Sequence, residues 1–257
     1  MSPLPATRKW REVVALIGGG ASAKQVASAT LRACENELGK AADDPGVVEA
    51  VWLLMRLPLA ARGDDFVHEL FHIGVDVPPE PGIPELIAGV SEAIDRALFN
   101  NCKRTDLGEF AQTAATETLA ELLGGRLGGM FGASTEKVQA ELARLDTAKQ
   151  FGLLAKEYFA KFTFKVIDYF LNRTLPEQTG DGKRFTTFRQ QQQFTDALET
   201  HCRETAEIVT TYAGEWLKKN EWETKGDIER DQAGRFISYA MTKLTSELRR
   251  RNLPDGR

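Results

Sequence analysis

A chain of 257 residues is long enough to bury a sizeable core, as one large helical domain or two smaller ones, and 42% apolar with 27% charged residues is the composition of a folded protein rather than a disordered one. The formal net charge of −4 argues against the basic footprint of a dedicated nucleic-acid binder. Acids are concentrated at the front: residues 1–99 carry 14 Asp and Glu against 9 Lys and Arg, and the remainder is close to neutral.

Pro3 and Pro5 interrupt the stretch that a secretion signal would need to be continuously apolar. The most apolar run, Val47 to Ala61, is broken by Glu49, Arg56 and Pro58 and is too short to span a bilayer. Cys34, Cys102 and Cys202 are odd in number and far apart, which fits reduced thiols better than a disulfide framework. The expected compartment is the cytoplasm, with membrane partnership disfavoured.

In chain order, the first helix is expected from about Thr7, as N-cap, to Ile17, stopping at Gly18-Gly19-Gly20. A triple glycine without a following Lys-Ser/Thr reads as a turn, not a phosphate loop. Ser22 caps a second helix ended by Gly39, and Asp44-Pro45 opens a third that ends before Pro58. A short helix follows over Asp64 to Ile73 and stops at Gly74. The prolines between Val75 and Pro84 cannot be helix interior, and Pro84 sits in the first turn of a helix reaching about Phe99. Another starts at about Thr105.

Glycines at 124, 128 and 132 and at 125 and 129 have the spacing that lets helices approach closely in a membrane. Segment 119–133 is nevertheless shorter than a span and holds Glu121 and Arg126, so it reads first as a helix end and connector. Ser134 is a candidate cap for the next helix, although Lys137 where a capping box needs Glu or Gln rules the box out. Phe151, Leu154, Tyr158, Phe162, Val166 and Phe170, at steps of three and four, mark a helix central to the core. A continuous helix is expected from about Thr187 to Lys219, then a linker with Trp222 and Gly226, then a last helix through Phe236, Ile237 and Leu244 that finishes in Arg249-Arg250-Arg251 at the negative end of its dipole. No alternating strand pattern or internal repeat appears. The fold expected is all-α, a bundle of about eight to ten helices, with an acidic N-terminal region over 1–103 and a C-terminal bundle over 104–257.

His68-Glu69-Leu70-Phe71-His72 is the one run with metal chemistry in it. On a helix, His68 and His72 share a face one turn apart and can reach one Zn²⁺, with Glu69 beside them to activate a bound water. Glu92 lies twenty residues beyond His72 on the next helix. Over these 25 residues the arrangement resembles the thermolysin-type zinc peptidases, and the resemblance implies zinc ligands at His68, His72 and Glu92, with Glu69 as general base. The residues also read as a short amphipathic helix with Phe66, Leu70 and Phe71 inward and the histidines at its edge. Residues 1–67 read as helices, where those peptidases place a sheet, and Gly74 stops the motif helix early, so packing is the favoured reading.

His201 and Cys202 point about 100° apart on a helix and cannot form a base and nucleophile pair with each other. Lys156, Lys161, Lys165 and Arg173 alternate with aromatics as a strand-binding groove would, and equally as the wet face of a core helix. The leading expectation is a non-catalytic cytoplasmic protein without a cofactor, acting through a protein partner or self-association, with Trp10, Trp52, Trp216 and Trp222 as candidate anchors. The alternatives are the zinc peptidase and a membrane-associating protein using segment 119–133.

Overall fold

The computed structural model describes residues 7–100, 104–224 and 226–250, with residues 248 and 249 in backbone only. Pro3, Pro5, Cys102, Lys103 at the expected regional boundary, the side chains of Leu248 and Arg249, and Arg251 lie outside the described residues. The described chain is all-α, and its one β-type pairing is an isolated bridge between Thr179 and Phe185.

Helix starts follow the capping residues. Helix α1 (Arg8–Gly18) begins where the Thr7 hydroxyl accepts the Trp10 N–H. Helix α2 (Ala23–Ala33) opens with a capping box in which the Ser22 hydroxyl accepts from the Gln25 N–H and the Gln25 amide oxygen accepts from the Ser22 N–H. It was expected to reach Gly39 but is interrupted at Cys34 and resumes as α3 (Glu35–Leu38). In α4 (Pro45–Ala60) the Asp44 carboxylate accepts from the N–H groups of Gly46 and Val47, and the helix runs through Pro58 instead of ending before it. Pro58 removes one helical hydrogen bond. Burial of Leu57, Pro58 and Ala60 against the core outweighs that loss.

Helices α5 (Phe66–His72), α6 (Ile83–Asn100) and α7 (Asp106–Leu127) follow, the last capped by Thr105. Gly124 and Gly125 lie inside α7, because Leu119 and Leu123 are buried and hold that turn in place; the helix stops at Gly128, which takes the left-handed conformation at φ 77°. Helix α8 (Thr135–Arg144) follows Ser134, whose hydroxyl makes no capping bond to the backbone and engages the Glu136 carboxylate instead. Helix α9 (Ala148–Leu171) is the central element expected from its aromatics, packed by α7, α10 (Phe188–Thr205), α11 (Glu207–Thr210) and α12 (Ala213–Thr224).

The continuous helix expected over 187–219 is thus three pieces. At each break a threonine hydroxyl turns back onto a carbonyl of its own helix, Thr205 onto His201, Thr210 onto Glu207 and Thr211 onto Ile208, in competition with the regular ladder. Gly214 then brings α12 so near the start of α9 that a Cβ there would lie 2.0 Å from the Ala148 carbonyl oxygen. Trp222 belongs to α12 rather than to a linker, and α13 (Arg230–Arg250) closes the bundle. The Arg250 guanidinium is paired with the Glu247 carboxylate at 2.7 Å.

Buried side chains from α1 to α13 form one contiguous core, which takes residues from both 1–103 and 104–257. Tyr158, Phe159 and Phe162 of α9 form its aromatic centre, and Phe159 meets Phe236 of α13 at 5.9 Å. Three cations of α9 are committed to neighbouring helices: Lys161 to Glu121 at 2.7 Å, Lys165 to Glu117 at 2.9 Å and Lys156 to Glu207 at 2.6 Å. Arg173 stacks on Tyr169 at 4.2 Å. Two helix starts are joined as well. The Thr105 hydroxyl donates to the second oxygen of the Asp44 carboxylate at 2.6 Å and accepts from the Gly108 N–H at 3.0 Å. Gly46 and Gly108 make this crossing possible, since a Cβ on Gly46 would fall 2.6 Å from the Gly108 Cα.

Candidate functional site

Helix α5 is short and well fixed. The Asp65 carboxylate accepts the His68 N–H at 3.1 Å, Phe66, Leu70 and Ile73 are buried, and the C-terminus is closed by bonds from Val75 N–H to the Leu70 carbonyl and from Gly74 N–H to the Phe71 carbonyl, with Gly74 at φ 80°. Phe71, expected inward, is 65% exposed, because Phe66, Leu70 and Ile73 fill the buried arc and Phe71 falls about 100° past Leu70. His68 and His72 are both exposed, with ring centroids 4.2 Å apart and planes at 83°.

The pentapeptide is divided between two faces. Glu69 is half-buried between the histidines and the buried arc, about 60° round the helix from His72, lying over Gly63, where a Cβ would meet its Cγ at 2.7 Å. Glu92 is exposed on α6. Among the described residues no three His, Cys, Asp or Glu side chains form a group able to hold a metal ion. The structure therefore brings His68 and His72 together and does not bring Glu92 to them, and helices α1–α4 precede the motif where the zinc peptidases have a sheet. The ligand trio implied by that resemblance is not assembled.

Glu69 instead lines a groove of about 1220 Å³ between the end of α4 with α5 on one side and α12 with the following turn on the other. Its walls carry Arg56, Arg62, Lys218, Glu221 and Asp227, and Trp222 stands on α12 at 82% exposure. Beneath it, four charges close a ring. Arg62 donates to Asp146 at 3.1 Å and to Glu221 at 2.7 Å, and Lys218 donates to the same two carboxylates at 2.8 Å each. Partial burial works against both Lys218 and Glu221 as ions. Their hydrogen bonds outweigh it, holding the Lys218 ammonium above its ordinary pKa and the Glu221 carboxyl below its own. Arg56 donates to the Gly226 carbonyl at 3.0 Å and pairs with Asp227 at 2.9 Å.

Among the described residues the lining contains no Ser, Thr, Cys, Tyr or His, and the Lys218 ammonium is held as a cation. The two thiols among the described residues are held protonated by burial, which pushes Cys34 up to about 12 and likewise raises Cys202. His201 is buried beside Cys202 on α10. Of the four tryptophans read as anchors, Trp10 and Trp52 are in the core and Trp216 packs on Phe236 at 4.8 Å, leaving Trp222 at the surface.

Sequence reading missed this groove. Its charge ring joins residues 84 and 159 positions apart, and the one local signal is the spacing of three between Lys218 and Glu221. In segment 119–133 the apolar Leu119 and Leu123 are consumed by the core, and no helix among the described residues is long and apolar enough to cross a membrane. The chain matches no protein-family model, no curated protein and no solved structure.

Proposed function

We propose that the chain is a non-catalytic cytoplasmic protein that works by binding another protein, and that the partner docks in the groove between α4–α5 and α12. The observation that carries this reading is Trp222, held at 82% exposure beside a groove whose Arg56, Arg62, Lys218, Glu221 and Asp227 are already paired within the chain. Covering a tryptophan removes some 150–250 Å² from water, worth about 4–6 kcal/mol at roughly 25 cal/mol per Å². The ring of Arg62, Lys218, Asp146 and Glu221 holds the surface around it in one shape, so a partner spends little on ordering it.

The test is affinity capture from the source organism with wild-type and Trp222→Ala baits, together with light scattering at high concentration. A partner enriched by the wild type and lost with Trp222→Ala, or a dimer that dissociates on that substitution, supports the reading. A monomer that retains no protein differentially between the two baits overturns it. Binding also carries a spectroscopic signature, because covering Trp222 shifts its fluorescence to shorter wavelength.

A further inference from the structure

We infer that His68 and His72 form a two-histidine chelating site for a divalent transition cation of the Zn²⁺, Ni²⁺ and Cu²⁺ class, on the outer face of α5. The two imidazoles are one helical turn apart with centroids 4.2 Å from each other, so closing on an ion takes side-chain rotation and no movement of backbone. Both rings are exposed, and neither makes a hydrogen bond or ion pair with another group among the described residues. Their nitrogens are therefore available, and imidazole nitrogen suits these cations, whereas Mg²⁺ and Ca²⁺ prefer oxygen.

The helix under the pair is fixed at both ends, by the Asp65 cap and by the Gly74 turn, and is anchored from below by Phe66, Leu70 and Ile73. The chelate is thus organised before the ion arrives. With two protein ligands, the other coordination positions fall to water. The site differs from a peptidase centre in that respect, and neither histidine lines the groove that Glu69 enters. Its effect is mechanical: an ion held by both rings ties together one full turn of a seven-residue helix that is too short to be stable alone. The inference does not depend on the docking groove.

Titration calorimetry on the chelator-stripped full chain with Zn²⁺, Ni²⁺ and Cu²⁺ tests it, on the wild type, His68→Ala, His72→Ala and the double variant. Loss of an outer-shell partner alone costs a metal site 10–100-fold, so each single variant is expected to bind about tenfold or more weakly. The double variant is expected to be little worse than either single one, because a chelate is lost as a unit. Cu²⁺ should bind tightest. Amide exchange should slow across Phe66–Gly74 on adding Zn²⁺ to the wild type and stay unchanged in the variants. Affinity that is the same in all four proteins, or two small losses that add, overturns the chelate. Both histidines are exposed, and the His→Gln pair repeats the measurement should an alanine variant lose helical structure.

Discussion

Glu49 shows how much one residue can depend on another. Its carboxylate is 5% exposed, and Arg230 grips it at 2.5 and 2.8 Å while stacking over Trp52 at 3.8 Å, whose indole N–H donates to the Ile228 carbonyl at 2.7 Å. Arg230→Ala leaves a buried carboxylate without its cation and is expected to destabilise the fold by about 2 kcal/mol, read from the denaturant midpoint. Arg230→Lys should restore part of this, since an ammonium cannot reproduce the fork and the stack together. In the charge ring, Glu221 has a lowered pKa, so its contribution is complete above its ordinary value of 4.5 and fades as pH falls below that. Lys218 has a raised pKa, so its contribution is complete below its ordinary value of 10.5 and fades as pH rises beyond that. The stability difference between wild type and Glu221→Gln should therefore be about 1 kcal/mol near neutral pH and vanish in acid, in melts taken across the pH range.

Elements were legible in the sequence where their signal is local. Thr7, Ser22, Asp44, Thr105 and Thr187 each stand at a helix start and each caps it, because a cap is decided within four residues. The pairing of His68 with His72 was legible for the same reason. What failed depends on contacts made across the fold: α4 continues through Pro58 because its end is buried, and the 187–219 periodicity conceals two breaks that Gly214 and Ala148 bring into register. Periodicity records which face is apolar and does not record whether the axis is continuous. The groove was illegible altogether, since Arg62, Asp146 and Lys218 meet only once three distant segments have packed. Gly214→Ala should push α12 off α9, costing about 1–3 kcal/mol in thermal or denaturant unfolding, with a change in Trp216 emission as its contact with Phe236 loosens.

On the scale of the whole molecule, α4 is the hub that joins the front of the chain to the back, packing on α6, α7 and α13 within a single core. Unfolding followed at Trp10, in the first helix, and at Trp216, near the end, is expected to give coincident transitions, and Asp44→Ala should lower both together by about 2 kcal/mol. The bond from Thr105 to Asp44 gives a reason beyond packing area. A cap is ordinarily complete as soon as a few neighbouring residues have been made, but one oxygen of Asp44 finds its partner 61 positions later. During synthesis Asp44 can cap α4 through one oxygen at once, but its other oxygen finds its partner only when the start of α7 has left the ribosome, so the front of the chain cannot reach its final packing on its own, and a nascent chain arrested between the two would expose the apolar face of α4 for longer than a sequence of independent helices would.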